Sequence, residues 1–403
     1  MTNNKRPRVL YLTCLEYTLN NDIHQSQIIG LRGKEVDYLF LFISPLFIWG
    51  RAGFDINRNK YTQEDVKEVK VPFFSANLVM YLFLIPFFLL IASPILLYFI
   101  HKEKIEIVHC RNLLSSFLAV FCKIFLFQKI KVICDPRSVY VEEGVIIGRF
   151  KYNGITYRGW KILERWIYRK SDYCLGLSEN FADYLRQSNE KSLFIPAIVR
   201  PSFVYDKVKR NELRHEMGLT NNQHVCIYVG SIGQWHSVEA LINAINLYKD
   251  SIQDGEEMKV VFLSGNKSAC EEIKRNFSEK DILMCGRVSS EKVYEFLLVA
   301  DFGIVPGSKN CGYCYDLLYK TMLSSKAEEF LSVGLPIIVN ERIVSLANMM
   351  EKYGAGIVIK SDRIETKNIV FNRDSISKVF HEMFEASVII SQYKKLYEKL
   401  MCC

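Results

Sequence analysis

Two successive series of short apolar runs, each run followed by a longer amphipathic segment, constrain the fold of this 403-residue chain more than any other feature. In the first half the strand-like runs are VLYLT, VDYLFLFIS, IEIVHC, KVICD and DYCLGLS. The second half restarts the pattern with HVCIYVG, KVVFLSG, DILMCG, DFGIVPG, LPIIVN and GIVIK. Strands that alternate with helices pack as a parallel sheet of βαβ units. The sequence therefore predicts an α/β fold made of two such domains.

The domain boundary is predicted from a change in composition between the two series. The apolar stretch IPAIVRPSF gives way to a charged run between Phe194 and Arg214, which is typical of a linker. We therefore expect an N-terminal domain over residues 1–200 and a C-terminal domain over residues 201–385. The last residues, 386–403, are expected to form a helix that packs back on the first domain. Two domains of this kind suit a ligand held at the carboxyl ends of both sheets.

A long apolar segment interrupts the first series. No residue is charged from Val71 to Ile100, and basic residues flank this segment at Lys70 and Lys102. Its length is sufficient for a membrane span, but Pro86 and Pro94 would kink or break a helix. If the strands on either side share one sheet, both ends of the segment must lie on the same membrane face. We therefore expect a monotopic element, either an interfacial helix or a shallow hairpin bent at Pro86. A buried soluble helix and a true span are the alternatives.

The composition excludes several classes of protein. The chain is 49% hydrophobic, which excludes disorder over most of its length. A net charge of +8 is mildly basic and suits an anionic small molecule or a lipid surface. No run of Lys or Arg exceeds two residues, so we expect no nucleic-acid partner. The 12 cysteines are scattered through apolar segments and the amino terminus has no secretory signal, which indicates reduced thiols in the cytoplasm.

The strongest local motif is SSKAEEFLSVGLP followed by the strand IIVN. Ser324 and Ser325 are suited to begin a helix whose first backbone amides face an anion. Lys326 adds a cation in the first turn, where the helix dipole normally favours acids. Glu329, one turn later, is placed to accept hydrogen bonds from a ribose diol. The alternative is an ordinary capped helix with a surface lysine and glutamate.

In these residues the chain resembles the retaining glycosyltransferases of family 4, which have the GT-B fold. The resemblance covers nearly the whole second half and is carried by YVGSIG, CGRVSSEKVYEFLLVADFGIVPGS and KAEEFLSVGLPIIV, in that order and spacing. The first half resembles the same family less specifically, in IVHCRN, CDPRSVYVEEGV and LERWIYRKSDYCLGLSENFADYL. The family's fold implies two Rossmann-like domains facing across a cleft, here with the apolar segment in the first domain.

The resemblance also implies roles for individual residues in binding a nucleotide sugar. Glu329 would hold the donor ribose, and Lys326 with Ser325 would meet the diphosphate. The small residues Gly230 and Ser231, at the end of the first strand of the second domain, would let the chain approach the phosphates. Arg287 and Val288, later in the same domain, would flank the base.

Catalytic positions are implied in both halves. Lys326 would stabilise the departing diphosphate, while Arg111, Asp135 and Arg137 fall just past strand ends, where an α/β cleft is lined. Surface ion pairs are the alternative for the two arginines. The chain departs from the family at two places. Thr321 stands eight positions before Glu329, where many members have another glutamate. The loop QWHS lacks the basic pair that many members have there, and His236 is a candidate replacement.

The resemblance thus implies an enzyme that transfers a sugar from a nucleoside-diphosphate donor to a lipid-linked or other glycan acceptor, with retention. We expect it at the cytoplasmic face of a membrane, peripheral or monotopic, in polysaccharide or cell-envelope glycan synthesis. No metal or other cofactor is implied, since no Asp-x-Asp occurs in the chain. The alternatives are a sugar-nucleotide 2-epimerase of the same fold and a non-catalytic membrane-bound scaffold with a degenerate donor site.

Overall fold

The chain divides into two compact units. The first combines Met1–Ile198 with Ile389–Cys403, and the second is Val199–Val388. Each unit is built on one sheet in which all neighbouring strands run parallel. This arrangement confirms the prediction of two parallel α/β sheets. The computed structural model describes residues 6–15, 31, 36–48, 65–75, 78–198, 204–253, 255–364 and 370–402.

Seven described strands form the sheet of the first unit. They are β1 (Arg8–Cys14), β2 (Asp37–Ile48), β3 (Val66–Ser75), β4 (Ile107–Cys110), β5 (Lys131–Cys134), β6 (Tyr173–Gly176) and β7 (Ser192–Phe194). Their spatial order is β3-β2-β1-β4-β5-β6-β7. The central strands β1, β4 and β5 are buried along nearly their whole length, as strands covered on both faces must be.

The helices of the first unit that connect strands β3 to β7 lie on one face of this sheet. They are α1 (Leu78–Lys102), α2 (Leu113–Phe125), α3 (Tyr140–Ile146), α4 (Ile155–Lys170) and α5 (Glu179–Arg186). Each connection from β3 onward moves in the same direction along the sheet. Because parallel crossovers are right-handed, the connecting helices share a face. Consistent with this, α1 packs against both α2 and α4.

Helix α1 forms most of the predicted apolar segment, but the start of that segment is a strand and not part of the helix. Its first residues, 71–75, belong to β3, whose sequence VKEVKVPFFS alternates charged and apolar residues from Glu68 to Val71. The helix then continues through Pro86 and Pro94, so a hairpin bent at Pro86 does not form. Each proline removes one helical hydrogen bond, and both lie on the exposed face of the helix.

Helix α1 is long and carries no charged residue from Leu78 to Ile100. Among the described residues, the stretch Phe83–Lys102 is long and apolar enough to cross a bilayer, and 33% of its most apolar 18 residues are buried. The strands before and after it, β3 and β4, lie in the same sheet. Both ends of α1 are therefore anchored in one folded unit.

The second unit contains a six-stranded sheet in the order β10-β9-β8-β11-β12-β13. Its strands are β8 (Gln223–Val229), β9 (Glu257–Leu263), β10 (Ile282–Gly286), β11 (Phe302–Val305), β12 (Ile337–Asn340) and β13 (Gly356–Ile359). Its described helices are α6 (Lys207–Glu216), α7 (Val238–Lys249), α8 (Lys267–Asn276), α9 (Ser290–Val299), α10 (Tyr313–Thr321), α11 (Ser325–Ser332), α12 (Val344–Tyr353) and α13 (Arg373–Met383), with a 3₁₀ turn at Glu279–Asp281.

The last helix, α14 (Ala386–Met401), belongs to the first unit from Ile389 onward. Its buried side chains include Tyr393 and Tyr397, which are four residues apart and so lie on one helix face. The Tyr393 ring centroid lies 5.2 Å from that of His109 on β4. Helix α14 thereby covers the carboxyl end of a central strand of the first sheet.

A buried ion network ties α3, α4 and α5 together. Lys161 Nζ lies 3.1 Å from a carboxylate oxygen of Glu142 and also contacts Glu164. The Tyr157 hydroxyl donates a 2.9 Å hydrogen bond to Glu142, and Lys161 donates one of 2.7 Å to Tyr184. One ammonium thus faces two buried carboxylates. Burial raises the pKa of Glu164 to about 7, against the effect of Lys161 and with a further contribution from Glu142.

We predict that Lys161→Met destabilises the first unit by roughly 3–5 kcal/mol at pH 8, because it leaves two carboxylates buried without their cation. The loss should be smaller at pH 5. Since the folded-state pKa of Glu164 is raised to about 7, its protonated form stabilises the fold at low pH and this contribution is lost as the pH rises through about 7. Chemical denaturation followed by tryptophan fluorescence measures both values. The exposed Lys170→Met on the same helix is the control, and equal effects of the two substitutions would refute the network's role.

Candidate functional site

Segments distant in sequence meet at the carboxyl edge of the second sheet. The loop after β8 ends at Ser237, whose backbone amide donates a 2.9 Å hydrogen bond to the carbonyl of Gly307, just past β11. Helix α11 begins at Ser325, and its second residue, Lys326, contacts Tyr228 near the end of β8. The carboxyl ends of parallel strands share one edge of a sheet, which is where α/β proteins hold their ligands.

Lys326 fits against a glycine at this edge. Its Nζ donates a 3.2 Å hydrogen bond to the Tyr228 hydroxyl and lies 4.9 Å from the centroid of the Tyr228 ring. Gly230 has φ +113°, and a Cβ at this position would lie 2.5 Å from Lys326 Cε. Only glycine therefore leaves room for the lysine side chain. Burial lowers the pKa of Lys326 to about 8, against the opposing effect of Glu329.

His236 lies on the same loop and is buried beside Lys326. Its side chain is 7% exposed, and its ring centroid lies 6.4 Å from that of Tyr228. Within the described part of the chain, Nδ1 of His236 has no hydrogen-bond partner. Burial, with a contribution from the Lys326 charge, lowers the pKa of His236 to about 3, so the imidazole is neutral at physiological pH. A buried polar atom left unpaired in this way suits a ligand atom.

Two tyrosine hydroxyls hold the loop after β8 in place. Tyr228 donates a 2.7 Å hydrogen bond to the carbonyl of Ser231, and Tyr319 of α10 donates one of 3.1 Å to the carbonyl of Trp235. The side chain of Ser231 itself is exposed. The loop is therefore fixed by the protein before any ligand arrives.

The start of α11 adds backbone donors and a carboxylate. Ser324 occupies the N-cap position, and within the described residues its hydroxyl does not cap the first turn. Glu329 is half-buried and lies one turn after Lys326, on the same side of the helix. Thr321, eight residues before Glu329, donates a 2.8 Å hydrogen bond to the carbonyl of Leu317 in its own helix. Thr321 thus bonds within its own helix at the position where many members of the resembled family have a glutamate.

Arg287 and Val288 follow β10 at the same edge of the sheet. The Arg287 side chain is exposed, while Val288 packs against the hydrophobic core of the unit. Strand β9 separates β10 from β8, so these residues begin about 10 Å along the edge from the loop that holds Gly230. The site residues predicted in the second unit therefore fall into a cluster around Lys326 and a second position along the sheet edge.

The cluster around Lys326 is suited to binding an anion. It offers an ammonium group, the amide end of a helix and a neutral imidazole, and the half-buried carboxylate of Glu329 can accept hydrogen bonds from hydroxyl groups. Among the described residues, no three His, Cys, Asp or Glu side chains form a group that could hold a metal ion.

A second polar cluster lies at the carboxyl edge of the first sheet. Arg137 Nη2 lies 2.7 Å from Asp135 Oδ2 just past β5. His109 of β4 places Nε2 3.4 Å from the same Asp135 oxygen and Nδ1 2.7 Å from the Tyr397 hydroxyl. Burial lowers the pKa of His109, and the Asp135 carboxylate opposes this shift. The partners fit a neutral imidazole that donates from Nε2 to Asp135 and accepts at Nδ1 from Tyr397.

Arg137 and Arg111 bring two guanidinium groups to this cluster. Arg137 has φ +66°, a left-handed backbone that costs a non-glycine residue about 1–2 kcal/mol. Arg111 is 8% exposed, and both arginine charges act on the pKa of the buried Tyr11, which burial raises. The structure therefore brings Arg111, Asp135 and Arg137 together with His109.

Two tyrosines of these clusters were not assigned from the sequence. Tyr228 stands two residues before the glycine of the YVGSIG motif, and its place at the end of a strand was the signal available. Tyr397 is 288 residues from its partner His109, and no local pattern relates the two.

Comparison with known proteins identifies the fold. No protein-family profile matches the chain. The chain is 23% identical over 295 residues to the uncharacterized glycosyltransferase MJ1069 of Methanocaldococcus jannaschii, which covers 69% of this chain and 71% of that protein.

Two solved structures superimpose on nearly the whole chain. The sucrose-phosphate synthase of Thermosynechococcus elongatus has a TM-score of 0.67 at 13% identity and covers 98% of this chain and 99% of its own. Anabaena HepE in complex with UDP has a TM-score of 0.59 at 9% identity and covers 97% of this chain and 100% of its own. The two parallel α/β units of this chain thus match the fold of structures of GT-B glycosyltransferases.

We predict that Gly230→Ala destabilises the second unit by about 1–3 kcal/mol, since a Cβ there has an unfavourable φ and meets Lys326. It should also displace the lysine and move the Lys326 pKa away from about 8. Chemical denaturation and NMR titration of the methylated lysines measure the two effects. Gly233→Ala on the same loop, where a Cβ would meet nothing within 4 Å, should leave both unchanged. Equal behaviour of the two variants would contradict the proposed fit of glycine and lysine.

Proposed function

We propose that this protein is a glycosyltransferase that moves a sugar from a nucleoside-diphosphate sugar to a lipid-linked glycan acceptor, with retention of configuration. The observation that carries the proposal is the Lys326 ammonium, held against Gly230 at the start of α11 on a GT-B fold. The complex of the similar Anabaena HepE with UDP supports a nucleoside diphosphate as the occupant of this edge.

Each polar group of the cluster has a role in donor binding. Lys326 and the first amides of α11, beginning at Ser325, bind the diphosphate, and Gly230 with Ser231 lets the backbone approach it. Glu329 accepts hydrogen bonds from the ribose hydroxyls. Further along the sheet edge, Arg287 and Val288 flank the nucleobase.

The chemistry requires stabilisation of charge that develops on the leaving group. When the bond between the anomeric carbon and the phosphate oxygen breaks, negative charge grows on the diphosphate, and Lys326 with the amides of α11 stabilises it. The acceptor hydroxyl attacks from the face that the diphosphate leaves, and its proton passes to the departing phosphate oxygen. This route retains configuration and requires no nucleophile from the protein.

We assign the carboxyl edge of the first sheet to the acceptor side of the reaction. Asp135 forms an ion pair with Arg137 and accepts a hydrogen bond from His109, so its carboxylate is held in one orientation. Arg111 and Arg137 supply cations suited to the phosphate of a lipid-linked acceptor. The strained backbone at Arg137 is consistent with a residue kept for its function.

The membrane half of the proposal rests on the exposed face of α1. Phe83, Phe87 and Leu90 are between 63% and 80% exposed and follow helical spacing, together with Pro94 and Tyr98. Because both ends of α1 are anchored in one sheet, this apolar row would enter one leaflet without crossing the bilayer. We propose that this is the cytoplasmic leaflet. A protein seated in this way works on acceptors of polysaccharide or cell-envelope glycan synthesis.

Binding and turnover test the donor assignment. Calorimetry with UDP, GDP and ADP should identify one nucleotide that binds, and its sugars should be turned over with a membrane extract as acceptor. Lys326→Met should lower kcat by about 100-fold or more, because the lost charge acts mainly in the transition state. The donor KM should rise by a smaller factor. The exposed Lys320→Met on α10 is the control.

Three outcomes would contradict this proposal in different ways. Tight nucleotide binding without turnover would indicate a non-catalytic scaffold. Conversion of the sugar nucleotide without an acceptor would indicate an epimerase. A Lys326→Met variant with a raised KM alone would show that the lysine binds ground and transition states alike.

The affinity for UDP should fall as the pH rises above about 8. Burial holds the pKa of free Lys326 at about 8, and a bound diphosphate raises it, so binding above this pH requires uptake of a proton. The fall approaches tenfold per pH unit. Lys326→Arg, whose charge does not titrate in this range, should bind with little dependence on pH. Identical pH profiles for the two proteins would exclude a direct contact of Lys326 with the phosphates.

Replacing the apolar row of α1 should release the protein from membranes. The triple variant Phe83→Ser, Phe87→Ser and Leu90→Ser should reduce partitioning onto phosphatidylcholine vesicles by roughly 100-fold, given the apolar area removed. Tyr313→Ser and Tyr353→Ser, at exposed aromatic positions of the second unit, should leave it unchanged. Vesicle flotation measures both. A wild-type protein that does not float would remove the support for a lipid-linked acceptor.

A further inference from the structure

Helix α4 presents an exposed face that the fold of the unit does not use. Its exposed positions include Ile155, Arg158, Ile162, Arg165 and Arg169. At 100° per residue these five side chains fall within an arc of roughly 80°, along roughly 20 Å of helix. The isoleucines are 93% and 70% exposed, while the opposite face carries Trp160 and Ile167, which are fully buried. A row of isoleucines and arginines is thus turned entirely to solvent.

The exposed charges of the chain segment that carries this face have one sign. Between residues 126 and 170, all of which the structure describes, every exposed charged side chain is a cation. The acids of the same stretch are turned inward: Asp135, Glu142 and Glu164 are buried, and the half-buried Glu143 accepts a hydrogen bond from Ser138. The exposed cations are Lys129, Arg149, Lys151, Arg158, Arg165, Arg169 and Lys170.

Exposed aromatic side chains continue the face beyond α4. Phe125, at the end of α2, stacks on Trp166 of α4 with ring centroids 6.3 Å apart and is itself largely exposed. Phe127, two residues later, is 85% exposed and has φ +51°. A bulky residue in the left-handed region is uncommon, and here it holds an aromatic ring out in water. Both features cost free energy in a protein that has no partner at this surface.

We infer that this surface, which we call the α4 face, docks on the headgroups of an anionic lipid bilayer. Arginine side chains pair with lipid phosphates and carboxylates at the headgroup level, while the isoleucines and phenylalanines between them enter the top of the acyl layer. A basic helix with apolar residues interleaved among its cations meets both requirements of that interface.

The apolar residues distinguish a bilayer from a nucleic acid. A phosphodiester backbone would pair with the arginines, and the exposed ring of Phe127 could stack on a base, but the aliphatic side chains of Ile155 and Ile162 offer no stacking surface. An acidic protein would have to offer apolar residues spaced between its acids to match this row, whereas any anionic bilayer offers both. A bilayer is the partner that uses the arginines and the isoleucines together.

The inference rests on the membrane association proposed above and adds a lipid class to it. Helices α1 and α4 lie on the same face of the first sheet and pack against each other. Helix α1 supplies an uncharged apolar row that binds any fluid bilayer, and the α4 face supplies the preference for anionic lipid. The two rows therefore make separable contributions.

Vesicle binding with full-length protein tests the inference. Vesicles of phosphatidylcholine alone are compared with vesicles that contain about 30 mol% phosphatidylglycerol. The wild-type protein should bind the anionic vesicles at least about 100-fold more tightly, and the preference should weaken as salt is raised from about 0.1 to 0.5 M. The triple variant Arg158→Ser, Arg165→Ser and Arg169→Ser should lose that preference by about 100-fold, at roughly fivefold per cation.

Matched variants separate the contributions. Removing the same number of exposed cations from the second unit, in Lys249→Ser, Lys267→Ser and Lys274→Ser, should leave the preference unchanged. Ile155→Ser with Ile162→Ser should weaken binding to anionic vesicles without abolishing its salt dependence. Equal losses in the α4 and second-unit triple variants would show an effect of net charge and overturn the inference. So would tighter binding to a single-stranded oligonucleotide than to anionic vesicles.

Failure of this inference is distinguishable from failure of the proposed function. The α4 variants alter no residue of the Lys326 cluster, so their UDP affinity should equal that of the wild type. A wild-type protein that binds UDP and phosphatidylcholine vesicles but shows no preference for anionic vesicles would overturn only the inference about the α4 face. A protein that prefers anionic vesicles but neither binds nucleotides nor transfers sugar would overturn only the proposed glycosyltransferase function.

Discussion

Parallel strand pairing is the constraint on which both candidate sites depend. Every neighbouring pair of described strands in the two sheets is parallel, so all carboxyl ends of a sheet meet at one edge. This geometry brings Gly230 and Lys326 into contact although they are 96 positions apart, and it joins His109 to Asp135 across neighbouring strands. A few polar residues are enough to form each cluster, because the strands that carry them all end at the same sheet edge.

Burial of charge gives the two clusters opposite characters. At Lys326 burial lowers the pKa to about 8, so the charge is held at a cost that a bound anion can offset. At Arg137 burial also acts against the charge, but the ion pair with Asp135 more than compensates and the pKa of the guanidinium rises. Burial therefore destabilises the Lys326 charge in the second unit, whereas in the first unit the ion pair with Asp135 stabilises the Arg137 charge.

Local patterns predict the architecture, and long-range contacts account for what they miss. The alternation of apolar and amphipathic runs is enough to predict two parallel sheets, because each run is decided by residues within it. The uncharged segment begins at Val71, inside β3, because a lack of charge does not show where a strand ends. The contact of Tyr397 with His109 is invisible to any local pattern, as is the space that Gly230 leaves for Lys326. The roles of the site residues in donor and acceptor binding stay predictions.

The contribution of α14 to the first unit has a consequence for the order in which the protein folds. Domains form largely as they leave the ribosome, from the amino terminus onward. The first unit cannot be completed in this way, because Tyr397, which is bonded to the buried His109, is synthesised only after the whole second unit. Until then the carboxyl end of β4 lacks its cover, and the nascent first unit exposes apolar surface. The second unit therefore has to reach its own fold beside an unfinished neighbour, a stage at which chaperones commonly act.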